Sequence, residues 1–197
     1  MYQNIPTKCL TGEVRLSYVN LVQPKQPLNG GEPKYSVALL IPKTDKATIE
    51  DIKSAIQAAY DKGVTSKWGG KKPQIDMVLR DGDAPKRDGS SYGEEAKGHY
   101  VLNAKSSTKP QVVGIDNIRC ELAPNDIYSG MYARVTINFY PFAASGNNGV
   151  GCGLGNVLKT RDGEPLGGGA SAASDFDGLE VPATTSGMIN PVTGLPM

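Results

Sequence analysis

The sequence predicts a mainly β protein: a small antiparallel β-barrel or sandwich with one long inserted helix and long loops. Three observations carry that prediction. Glycine (24) and proline (14) make up nearly a fifth of the 197 residues, which favours turns and short strands over a helical bundle. Several segments alternate apolar and polar residues with a period of two. Only one segment carries the helical period.

The elements follow in order. Residues 13–21 read as a strand with Val14, Leu16 and Tyr18 on one face and Arg15 and Ser17 on the other. The alternation slips at Val19, the mark of a bulge or a strong bend. Residues 23–33 hold three prolines and the Gly30-Gly31 pair and form a loop. Residues 35–41 form a second strand, with Tyr35, Val37, Leu39 and Ile41 on one face, and Pro42 ends it. The helix spans residues 44–62: Asp45 or Thr48 caps it, Ile49, Ile52, Ile56, Ala59 and Tyr60 form its apolar stripe, and Gly63 stops it.

Residues 64–98 are mostly irregular, with a short strand-like stretch at 77–80, an Asp81-Gly82-Asp83 turn and a Gly/Ser/charged loop. Loops of this length in a compact domain are usually functional or disordered. Residues 99–105 alternate again, Tyr100, Leu102 and Ala104 against His99, Val101, Asn103 and Lys105. Residues 111–115 form another short strand. Residues 131–139 are the clearest one: Met131, Ala133, Val135, Ile137 and Phe139 alternate with Tyr132, Arg134, Thr136, Asn138 and Tyr140. Residues 150–158 form a Gly-spaced strand or turn region. The expected organisation is a domain over residues 1–166 and a flexible, mildly acidic tail over 167–197.

Composition removes several classes. Hydrophobic residues (39%) suffice for a core, and the longest apolar run, residues 37–42, is far too short for a membrane span. His99 is the only histidine, which excludes a multi-His metal site. Cys9, Cys120 and Cys152 are odd in number and widely spaced, so they form neither a disulfide framework nor a zinc signature and are expected as buried free thiols. No basic-then-apolar leader opens the chain, and the expected environment is reducing and cytoplasmic. The net charge of +1 argues against a polycation. It sums a mildly basic body, with 21 bases and 17 acids over residues 1–169, and a tail holding Asp175, Asp177 and Glu180 with no base.

No P-loop and no G-x-S-x-G elbow occur. Gly149, Gly151, Gly153 and Gly155 have the wrong spacing for a dinucleotide loop and read as close strand packing. Asp81, Asp83 and Asp88 lack calcium-loop spacing and read as turn formers. No catalytic residue, cofactor or metal is therefore expected. A metal-dependent nuclease built on Asp81 and Asp83 is the enzymatic outsider.

Basic and aromatic residues instead interleave along the middle of the chain: Trp68, Lys71 and Lys72; then Arg80, Lys86, Arg87 and Tyr92; then His99, Lys105 and Lys109. Single-stranded nucleic acid needs this pairing, because cations track phosphates and flat rings stack on unpaired bases. Tyr132 and Arg134 on the polar face of the 131–139 strand, with Arg15 on the corresponding face of the first strand, extend the set. Of these, Lys71, Lys72, Arg80, Lys86, Arg87, Lys105 and Arg134 are expected on phosphate, and Trp68, Tyr92 and Tyr132 on bases. Five of them have a structural alternative. Trp68 divides evenly between packing and stacking, Lys71 and Lys72 suit a solvated pair, and Tyr132 and Arg134 suit a solvent face or a dimer interface. Tyr35 and Tyr100 read first as core.

An ordered set of motifs adds to this reading. It comprises RLSYVN from Arg15, PKYSVALLIPK from Pro33 with the helix after it, RDGD from Arg80 and GHY from Gly98. KPQVV from Lys109, YSGMY from Tyr128, GVGCGLGNV from Gly149 and RDGEPLGG from Arg161 complete it. The set, over roughly residues 10–170, resembles the bacteriophage OB-fold single-stranded DNA-binding protein family. The resemblance implies an OB barrel, sequence-independent binding of single-stranded DNA, and a role in phage DNA replication, recombination or repair in the cytoplasm of a bacterial host. Such proteins often recruit replication or recombination proteins through a strongly acidic tail with a terminal aromatic, whereas this chain ends Leu195-Pro196-Met197. A homo-oligomer stays open. The rival from another class is a structural or assembly protein of a virion.

Overall fold

A computed structural model describes residues 2–27, 30–144 and 146–167. The reading of 167–197 as a tail lies, beyond Gly167, outside the described residues. Among the described residues nine strands form one sheet: β1 (Lys8–Leu10), β2 (Val14–Lys25), β3 (Lys34–Pro42), β4 (Leu79–Asp81), β5 (His99–Ser106), β6 (Val112–Gly114), β7 (Asn117–Glu121), β8 (Tyr132–Ala144) and β9 (Asn147–Arg161). The α-helix α1 (Lys46–Ser66) lies between β3 and β4.

Five of the strands pair into a closed ring. β2 pairs antiparallel with β3, β3 with β5, β8 with β9, and β8 with β2, while β5 meets β9 in parallel at Lys105 and Gly153. Numbered along the chain, the ring runs first, second, third, fifth, fourth and back to the first, the connectivity of an OB fold. The mainly β, barrel-like expectation holds, with two additions: β1 attaches to β8, and the β6–β7 hairpin attaches to β9.

The core fills the ring. Leu16, Val37, Leu39, Ile41, Leu102, Ala104, Val135, Ile137 and Val157 are buried in it. Each fully buried aliphatic contributes roughly 1.5–3 kcal/mol. Along β8 the alternation read from the sequence matches the burial through Tyr140, whereas on β3 and β5 the inward residues Val37, Leu39, Ile41, Leu102 and Ala104 are buried and Ala38, Leu40 and Val101 between them are buried as well, in a second cluster.

Helix α1 starts where Asp45 accepts a hydrogen bond from the Thr48 backbone N–H at 3.1 Å, an N-cap. It packs on β8, β1 and β9 through Ile49, Ile52, Ala55 and Ala59. It does not stop at Gly63 but runs on to Ser66. Gly63 is buried, and a Cβ there would lie 2.5 Å from the Trp68 ring. The glycine is a seat for the indole rather than a terminator.

Other expectations need correction. The strand expected at 77–80 is β4, residues 79–81, and β1 and β7 carry no readable alternation because one is three residues long and the other is exposed throughout. Cys9 and Cys152 are buried, and burial raises both thiols, that of Cys9 to about 11. Cys120, on the outlying β7, is exposed.

The glycines of β9 do serve close packing. A Cβ on Gly149 would meet the Phe142 ring at 2.5 Å, and one on Gly151 the Tyr140 ring at 2.6 Å. Each ring lies over the glycine paired with it across the β8–β9 hairpin.

Candidate nucleic-acid interface

The outer face of β2, β3 and β5 forms the floor of a groove of about 910 Å³. Ser17, Ala38, Leu40, Val101 and Asn103 provide that floor. None of them is charged or aromatic. Ala38, Leu40 and Val101 form a minor apolar cluster with Ala96, against which Tyr92 packs. One wall comes from Asp76, Met77, Arg80 and Asp81, another from residues 84–96.

Tyr18 stands over this groove, 71% exposed. The slip read at Val19 is a β-bulge. Ser17 pairs with Ala38 and Asn20 with Ser36, so three steps on β2 match two on β3. Tyr18 takes the left-handed conformation, φ 49°, which re-aims its ring outward while Val19 turns back to pack on the core. Alternation along the sequence puts Tyr18 on one face with Val14 and Leu16. The bulge overturns that. Asn20 fixes it, donating from Nδ2 to the Tyr18 carbonyl at 3.0 Å, and the Val19 N–H donates to Ser129 Oγ at 3.0 Å.

Lys43 anchors the loop that forms the second wall. Its Nζ lies 2.5 Å from Asp81 Oδ1 and 2.7 Å from Asp83 Oδ2. Asp81 Oδ1 also accepts the Asp83 N–H, and Asp83 Oδ1 accepts the Gly98 N–H. Hydrogen bonding to Lys43 holds both carboxyls below their ordinary range and pushes Lys43 up to about 12. Carboxylates with lowered pKa stabilise the fold above their unfolded range, and that contribution is lost as pH falls through the folded values. The lysine contribution is lost only as pH rises through about 12. Acidification below the ordinary carboxylate range should therefore release the loop. Lys43→Met should release it at neutral pH, seen as a shift of the Gly98 amide resonance. An unmoved Gly98 signal in the variant would show that the anchor does not hold the loop.

The structure gathers Arg80, Lys86, Arg87 and Tyr92 around the groove. Lys86 Nζ sits 5.0 Å from the Tyr92 ring centroid, and Arg87 Nη1 pairs with Asp76 at 3.0 Å. Met77, 71% exposed, joins them, a residue with no charge or ring to mark it in the sequence. Lys105 lies two residues beyond Asn103 on the same face of β5. His99 is at the start of β5, its Nδ1 2.6 Å from the Lys97 carbonyl oxygen.

The remaining expected residues lie elsewhere. Trp68 is 5% exposed, packed edge-on to Tyr60 and donating from Nε1 to the Phe142 carbonyl at 3.0 Å, so its ring is closed to a base. Lys71 and Lys72 are exposed on the segment after it. Tyr132 lies between Arg15 and Arg161, whose guanidinium carbon is 3.4 Å from the ring centroid. Arg15 donates to the carbonyls of Gly130 and Glu164, and Arg134 donates to that of Thr11. The two arginines tie backbone together on and around β8, and the Tyr132 ring is engaged by Arg15 and Arg161.

A closed five-strand ring of this order, with an open groove across its first three strands, defines an OB-fold protein with a site for an extended ligand. A family profile described as Enterobacter phage Enc34, ssDNA-binding protein, matches residues 7–186. The chain belongs to that family.

It is 30% identical to protein p50 of Acyrthosiphon pisum secondary endosymbiont phage 1, over 88% of this chain and 95% of that one. The single-stranded DNA-binding protein of bacteriophage Enc34, solved in complex with ssDNA, is similar with a TM-score of 0.70 and 31% identity, over 82% of this chain and 90% of that one. Gp2.5, a single-stranded DNA-binding protein of bacteriophage T7, shares the fold at a TM-score of 0.57 and 17% identity, over 85% of this chain and 93% of that one.

Proposed function

We propose that this chain binds single-stranded DNA without strong sequence preference and acts in phage DNA replication, recombination or repair in the cytoplasm of an infected bacterium. The observation that carries the reading is the groove across β2, β3 and β5. It presents an outward tyrosine held by a bulge, beside a half-buried tyrosine and three cationic side chains. In this reading Tyr18 and Tyr92 stack on bases, while Arg80, Lys86 and Arg87 meet phosphates. The protein acts by binding rather than by catalysis: Asp81 and Asp83, the pair a nuclease would need, are both engaged by Lys43.

The test is a titration of labelled oligo-dT and of a duplex of equal length at two salt concentrations. Binding should favour the single strand, with log K falling against log salt by roughly 0.7 per phosphate neutralised. Equal affinity for duplex would overturn the reading. Magnesium-dependent degradation of the oligonucleotide would overturn its non-enzymatic part.

A further inference from the structure

The groove lining carries Asp76, Asp81, Asp88 and Glu95 against Arg80, Lys86 and Arg87, so its formal charge does not favour a polyanion. The same sheet face offers a different environment next to it. Two residues along β3 from Ala38 and along β5 from Asn103, about 7 Å away, a smaller recess is lined by Lys25, Gln26, Pro27, Lys34, Ser36 and Lys105. It contains three lysines and no carboxylate.

These lysines are held together by the sheet itself. Lys25 and Lys34 are direct cross-strand partners on β2 and β3, and Lys105 is the register partner of Ser36. Like charges directly opposite one another destabilise a strand pair. Among the described residues none of the three forms an ion pair, and Glu32, in the loop joining β2 to β3, reaches none of them. The fold thus maintains an unneutralised cluster that a bound anion would relieve. Its position at the end of the groove points to a continuous strand with phosphates.

We propose that Lys25, Lys34 and Lys105 form a phosphate-binding recess that takes the backbone of the single strand where it leaves the groove. The recess adds its own salt-dependent attraction to that of Arg80, Lys86 and Arg87, and Tyr18 and Tyr92 in the groove supply base contact. This rests on the single-strand-binding reading above.

The test compares oligo-dT binding across a salt series for the full chain, the triple variant K25Q/K34Q/K105Q, and the charge-matched control K46Q/K53Q/K62Q on the solvent face of α1. The recess variant should flatten the slope of log K against log salt by about 2, at roughly 0.7 per phosphate. The control should keep the wild-type slope, and Lys→Arg at the three recess positions should restore it. Removing the repulsion should leave the thermal midpoint of the recess variant unchanged or raised. Wild-type binding with an unchanged slope in the recess variant, or an equal loss in the control, overturns the recess alone. Absence of single-strand binding by the wild type overturns the functional reading and the recess with it.

Discussion

Replacing Trp68 by alanine is expected to lower the free energy of unfolding by about 3–5 kcal/mol, the cost of emptying a large buried aromatic site. The indole is 5% exposed, seated on Gly63 and set edge-on to Tyr60 with ring centroids 5.1 Å apart. Its Nε1–H donates to the Phe142 carbonyl on β8, so one side chain joins the end of α1 to the β8–β9 hairpin. Trp68→Phe should lose less, since most of the apolar contact survives and the missing donor frees only one carbonyl. Denaturant titration gives both values. Trp68 is the only tryptophan, so its fluorescence reports the same geometry. Emission should be that of a buried indole and should change little when oligo-dT saturates the protein. Strong quenching by the oligonucleotide, with little loss of stability in the alanine variant, would restore Trp68 as a stacking residue.

Tyr18 is expected to behave in the opposite way. Tyr18→Ala should weaken oligo-dT binding by about 1–3 kcal/mol, roughly 5- to 150-fold, the range found for one base–aromatic stack. Stability should change little, because the ring is 71% exposed. Tyr18→Gly sharpens the contrast. A non-glycine residue in the left-handed region stores strain of order 1–3 kcal/mol, and glycine adopts φ 49° freely. That variant should bind weakly and melt no lower than the wild type. Full affinity in both variants would remove Tyr18 from the interface and leave its strained backbone without a function.

The two aromatics show where sequence legibility ended. Trp68 sits among glycines and lysines, a setting that looks solvated. Its burial depends on Gly63, five residues earlier, and on Phe142, 74 residues later. Tyr18 alternates in phase with Val14 and Leu16, so its neighbours point it inward. The slip at Val19 was visible, but which residue would turn outward depended on pairing with β3. Arg80, Lys86, Arg87 and Tyr92 were legible as a group because they are close in sequence, on one loop and one short strand. Lys25 and Lys34 were not, because they flank a loop and meet only when β2 and β3 pair.

The sequence by itself determined the mainly β class, the capped helix, the inward faces of β3, β5 and β8, and, through an ordered set of motifs, the family. These rest on local periodicity and order along the chain, which survive without knowledge of contacts. Tertiary structure alone decided which aromatic is core and which is exposed, that Arg15 and Arg134 are spent on backbone carbonyls while Tyr132 is held between two arginines, and that three separated lysines share a recess. Each of those outcomes depends on strand register. One extra residue at the β2 bulge turns a side chain from the core face to the groove, and no local pattern records the partner strand that fixes it.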